Sequence, residues 1–203
     1  TWEHMVNPTF LESMKAGTVL ADGGIGSLIF QLTGRLASPE FAYEALNVRN
    51  PDLIKGIYSS SLAAGATVLT ANTFAANETE LSSAGLEQQI GKINSEAVRI
   101  AREAIDDHVA EYSLNAARFY VIGSVGPGGA DERAYSSQID ALIASGVDAI
   151  LLETFSNLEL LLTLTQMISN REDAPPVIAH TALDPGVGEK QSWPIAPNEF
   201  VIQ

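Results

Sequence analysis

The chain has 203 residues, 46% of them hydrophobic and 18% charged, which is enough apolar material for one substantial core and fits one domain spanning 1–203. Its 25 Asp and Glu against 11 Lys and Arg give a formal charge of -14, which repels a phosphate backbone and argues against nucleic acid as a partner. Cysteine is absent, so disulfides and thiolate metal sites are excluded within these residues, and no run approaches the roughly 20 apolar residues that a membrane span needs.

The N-terminal stretch TWEHMVNPTFLESMKAG has neither the basic start nor the apolar run of a signal peptide, so the expected location is the cytoplasm. The first strand is expected at TVLADG (18–23). A polar loop follows, and then a helix over 51–65, with Pro51 at its first position and Gly65 suited to its C-terminal cap. TVLTANTF (67–74) is the second strand and leads to a helix near 86–107. FYVIGSVGP (119–127) is the third, followed by a helix near 131–145. DAILLETF (148–155) is the fourth, followed by a helix over 157–170. PVIAHTAL (176–183) is the fifth, and PNEFVIQ (197–203) reads as the start of a further helix.

Five strand-helix steps fit an open doubly wound sheet or a closed eight-stranded barrel. Polar residues end every strand: Asp22, then Asn72 and Thr73, Ser124, Glu153 and Thr154, and His180 and Thr181. A barrel brings all of these to one mouth, whereas an open sheet joins only the strands beside its switch point, so the expected fold is the α/β (β/α)8 barrel. Eight units take about 250 residues. The chain therefore carries about the first five, and the rest is expected from the same polypeptide or from another chain that completes the barrel.

Three readings of ADGGIGS (21–27) are open. It lacks the G-x-G-x-x-G spacing of a dinucleotide site and the Lys-Ser/Thr of a P-loop, which leaves a phosphate cradle the weakest. The glycines can form a tight turn capped by Asp22, or they can let a ligand approach the backbone while Asp22 meets an ammonium group. Glu153 ends the apolar run AILLE, where an uncompensated carboxylate is costly and a cationic partner is expected. Asn72 can tie strand ends together through its amide or contact a ligand.

LADGGIGS (20–27), ALNVRNPDLI (45–54), AAGATVLTANTFAAN (63–77), GSVGP (123–127) and GVDAILLETF (146–155) together resemble the homocysteine S-methyltransferase family, in order and at similar separations. The resemblance runs from about Val19 to about Leu183. It implies a (β/α)8 barrel that moves a methyl group onto the thiol of homocysteine, giving methionine, with zinc held by three cysteine thiolates that activates the substrate thiol. It implies substrate-binding roles for Asp22, Gly23, Gly24, Asn72, Thr73, Glu153 and Thr154, with Glu153 on the amino group of homocysteine and the threonines in support. Ser124 is a further candidate through GSVGP, although Gly126-Pro127 can equally be a stiff turn.

His4 and His108 read as solvated. His180 is a departure from the small hydroxyl residue that the family more often carries there, and is open as a proton acceptor or a structural histidine. A single imidazole makes no metal site. The zinc cysteines implied by the resemblance are expected beyond Gln203, so this chain alone is expected to be inactive and to carry a substrate half-site without catalytic residues of its own. The methyl donor is not specified. Two other readings are a metal-free binding or assembly module of the same fold and a barrel lyase or isomerase using Glu153 as a base.

Overall fold

The computed structural model describes residues 8–181. Four strands pair in parallel and in chain order: β1 (Val68–Ala71), β2 (Tyr120–Val125), β3 (Ala149–Phe155) and β4 (Val177–Thr181). The register sets Thr70 beside Ile122, Ile122 beside Ala149 and Ile150 beside Val177. A doubly wound sheet reverses its strand order at a switch point, and this one does not, so the sheet is an arc of a (β/α)8 barrel.

The first expected strand is shortened to a single parallel bridge, Ala21 to Val68. The ladder begins normally, with Val68 N donating to Leu20 O at 3.1 Å and Asp22 N to Val68 O at 3.0 Å. The next rung of a parallel ladder would send Thr70 N to the Asp22 carbonyl. The Asp22 side chain takes that N–H instead, and the chain turns through Gly23 and Gly24 into a helix.

Helices alternate with the strands. α4 (Pro51–Ala63) has Pro51 at its first position, and Gly65 just past its end has a left-handed φ of 102°. α5 (Glu78–Ser83) and α6 (Ile90–Tyr112) join β1 to β2, α7 (Ser136–Ala144) joins β2 to β3, and α8 (Leu158–Ser169) joins β3 to β4. Three helices lie where the sequence reading places none: α1 (Phe10–Ala16), α2 (Ile25–Thr33) and the single turn α3 (Leu46–Arg49), the last two inside the expected polar loop. α1 is started by a reciprocal Thr9–Glu12 capping box.

Both faces of the sheet are covered, which is why its strands read as nearly continuous apolar runs. Leu69, Val121, Ile150 and Leu152 face outward into one cluster with Tyr58 of α4, Ala101 of α6, Leu142 of α7 and Leu164 of α8. Val68, Tyr120, Ile122 and Ala149 face inward and pack with Phe10. The Phe10 ring meets Tyr120 edge-on at 5.5 Å, and the Tyr120 hydroxyl lies 2.5 Å from Ser13 Oγ, so α1 closes the end of the sheet where the strands begin.

Among the described residues no helix is long and apolar enough to cross a membrane. Ala182, Leu183, the helix start at 197–203 and His4 lie outside the described residues. His108, read as solvated, is half-buried on α6 and packs against Tyr112 and Phe119, with ring centroids 4.9 and 5.8 Å away.

Candidate functional site

Side chains alternate along a strand with period two. From the inward residues Val68, Ile122, Ala149 and Ile178, that period puts Thr70, Ser124, Glu153 and His180 on the inner face at the ends where the strands finish.

Asp22 joins this group from the bridge segment, accepting the Thr70 amide with its two oxygens at 3.1 and 3.0 Å. Burial pushes its carboxyl up to about 6, the Thr70 hydrogen bond opposes the rise, and repulsion from Glu153 adds to it. Asp22 therefore feels the Glu153 charge, as a lesser cause than its own burial. Neither belongs to any ion pair among the described residues. The cationic partner expected for Glu153 is replaced by a hydroxyl, since Ser124 Oγ donates to Glu153 Oε1.

The Ser124 carbonyl in turn accepts from Thr73 Oγ1 at 2.7 Å. Thr73 is fully buried and Ser124 is 2% exposed, so Thr73 reaches the rim only through Ser124. Asn72 is also sealed, at 2% exposure. Its amide nitrogen donates to Tyr43 O at 2.8 Å and to Asn47 Oδ1 at 2.9 Å, while its own carbonyl accepts from Asn47 Nδ2 at 2.8 Å. Both amide hydrogens are spent on protein, which is the tie between segments that the residue type alone allows.

Gly23 and Gly24 are exposed, and Gly24 is the N-cap of α2 with φ -64°. Neither has the positive φ that demands glycine, and a Cβ on Gly23 would meet nothing within 4 Å. The backbone there is open to an approaching molecule. Gly126 is different, because it donates to Phe74 O at 2.8 Å and a Cβ on it would lie 2.5 Å from the Phe74 ring. Packing explains that glycine without a ligand.

Thr154 has φ 62°, which for a β-branched residue costs about 1–3 kcal/mol. The β3–β4 register shifts between Leu152 and Phe155, around this residue. Its amide donates to His180 Nδ1 at 3.2 Å, and its hydroxyl donates to Glu153 O at 2.7 Å.

Sequence reasoning missed Glu44, which is 7% exposed and accepts the Ala75 amide at 3.0 Å. Burial pushes its carboxyl up, and Glu80 adds to the rise. It also missed Asn47 and the Tyr58 hydroxyl, which accepts from Asn72 N at 2.9 Å and donates to Thr70 O at 3.2 Å. These partners lie 12 to 31 residues away, so the neighbouring sequence carries no signal of the contacts.

The residues present do not fit the zinc that the resemblance implies. The chain has no cysteine, and among the described residues no group of three His, Cys, Asp or Glu is placed to hold a metal ion.

A family model described as homocysteine S-methyltransferase matches residues 19–192. The chain is 28% identical over 170 residues to a methionine synthase of Mycobacterium leprae and 27% identical over 170 residues to one of Mycobacterium tuberculosis. Each match covers 77% of this chain and 14% of the relative, so the chain spans about a seventh of these proteins. The metallated form of the homocysteine methyltransferase MmuM from Escherichia coli superposes with a TM-score of 0.71 at 22% identity, over 82% of this chain and 64% of that one. Its apo form gives 0.64 at 24% identity, over 81% and 59%. These likenesses show the shared fold.

Proposed function

Since the chain belongs to the homocysteine S-methyltransferase family, we propose that its strand-end rim holds the amino-acid end of homocysteine for transfer of a methyl group to the sulfur. The observation that carries this is the Asp22–Glu153 pair, two carboxylates at one mouth with no cation of their own among the described residues. An ammonium group placed between them attracts both carboxylates, and that attraction opposes the rise that burial causes in Asp22. Ser124 fixes one Glu153 oxygen, and the Thr70 amide fixes Asp22, so both acceptors are oriented before the substrate arrives. Gly23 leaves space for the substrate carboxylate to approach main-chain amides at the start of α2.

The two mycobacterial relatives are methionine synthases, and methylation of the homocysteine sulfur gives methionine. The part assigned to these residues is binding and orientation. Thiol activation by zinc is a property that the resemblance implies for the complete enzyme, and its ligands are not among them.

Calorimetric or NMR titration of the chain with homocysteine tests the reading, beside 4-mercaptobutanoate, which lacks the amino group. Homocysteine binding is expected to weaken at least about tenfold in Glu153→Gln, while the amine-free analogue loses nothing further. Equal homocysteine affinity in the wild type and a folded E153Q would overturn it.

A further inference from the structure

We propose that His180 is a positioning residue: by accepting the Thr154 amide it holds the left-handed turn that presents Glu153 at the rim. The inference rests on the binding role given to Glu153 above, while the contact itself is independent of it.

Among the described residues two that are not glycine have positive φ, Ser113 and Thr154. Ser113 caps the end of α6, where a left-handed residue commonly ends a helix. Thr154 lies inside a strand and is β-branched, so it persists only where its surroundings hold it. The β3–β4 register shifts around it, so its N–H falls out of step with the regular ladder. His180 Nδ1, on the neighbouring strand, supplies an acceptor at 3.2 Å. The Thr154 hydroxyl bonds to Glu153 O at 2.7 Å, so the turn and the Glu153 peptide move as one. A shift of the Thr154 amide therefore re-aims the carboxylate one residue earlier.

The contact uses the lone pair of Nδ1, which the tautomer protonated on Nε2 provides. Charging the ring places a proton on Nδ1 opposite the Thr154 N–H, and the bond is lost. β3 and α8 lie beside β4 and carry Glu153 and Glu159, and α1, whose Phe10 and Met14 share a cluster with Ile178, carries Glu12 and Lys15. Asp22 stands at the same rim, where repulsion from Glu153 is a lesser cause of its raised carboxyl than burial.

The test uses the full chain labelled with 15N, with the Thr154 amide, the His180 ring and homocysteine binding followed between pH 8 and pH 5. In the wild type the Thr154 amide shift is expected to track the ring titration. His180→Asn offers Oδ1 at all pH values, so its Thr154 amide stays fixed and homocysteine binds within about twofold of the wild type at pH 8. His180→Phe fills the same volume without an acceptor and is expected to weaken binding at least about fivefold at pH 8. Thr154 indifferent to the ring titration, or H180F binding as well as wild type beside a weakened E153Q, sinks the proposal alone. E153Q binding as well as wild type sinks the reading of Glu153 and this proposal with it.

Discussion

Asp22 takes the Thr70 amide with its carboxylate in the place where a continuing parallel ladder would have used its carbonyl. The substitution ends the strand and fixes a half-buried acid at the rim, at a level where burial pushes its carboxyl up to about 6. A carboxyl raised on folding binds its proton more tightly in the native state, so it lowers stability above about pH 6 and the loss fades as pH falls toward 4. Asp22→Asn keeps an acceptor for Thr70 and removes the charge. The variant is expected to be more stable than wild type by about 1–2 kcal/mol at pH 7.5 in urea denaturation, with the gap closing near pH 4. A gap that widens on acidification would show that Asp22 is not held in this way. E153Q should lower the Asp22 midpoint only slightly, because burial is the main cause of its rise and Glu153 a lesser one.

Glu44 presents the same physics deeper in the protein. One oxygen accepts the Ala75 amide, no ion pair among the described residues includes it, and Glu80 adds repulsion. Glu44→Gln retains the acceptor and sheds the buried charge, so its Tm at pH 7.5 is expected to rise by several degrees. Glu44→Ala leaves the Ala75 N–H without its partner and should melt below wild type. The opposite order of the two variants would mean that the charge itself stabilises.

Asn72 joins three segments through its side chain and main chain, to Tyr43, Asn47 and Tyr58. Asn72→Ala strands the sealed Asn47 Oδ1 and takes one of two donors from the Tyr43 carbonyl, which keeps the Leu46 amide at 3.1 Å, at an expected loss of about 1–2 kcal/mol by chemical denaturation with an unchanged m-value. Asn72→Asp should be worse, because a carboxylate then faces those two acceptors. A loss below about 0.5 kcal/mol in N72A would show that water replaces the amide.

The strand-helix alternation was legible because both periods are written in long stretches: β1 to β4, α4, α6, α7 and α8 all lie within a few residues of where the spacing puts them. Parallel pairing in chain order sets the ends of the four strands along one edge of the sheet. What failed did so where a side chain replaces a main-chain partner. Nothing near Asp22 announces that its carboxylate will take the Thr70 amide, a partner 48 residues away, and truncate the strand. α1 and α2 are short, and α2 exposes Phe30 and Leu32, which blurs its apolar stripe. Thr73, expected in support of the site, donates its hydroxyl to the Ser124 carbonyl on the neighbouring strand. Residue type marks the end of a strand, and only the packed chain says which side of it a hydroxyl serves.

Two glycines, one inside β2 and one just past it, separate rigid from yielding surroundings. A Cβ on Gly123 would lie 2.9 Å from both methyls of Leu142, which is fully buried between β2 and α7. A Cβ on Gly126 would lie closer, 2.5 Å from the Phe74 ring, yet Phe74 is 37% exposed and has solvent to swing into. The tighter contact should therefore be the cheaper one to break. Gly123→Ala is expected to lose about 2–3 kcal/mol and Gly126→Ala about 1 kcal/mol or less. In a double-mutant cycle Leu142→Ala should recover part of the G123A loss, because the cavity it opens accepts the new methyl. Should G126A prove the more costly of the two, Phe74 is pinned at the rim, and its ring is held there by contacts stronger than its exposure implies.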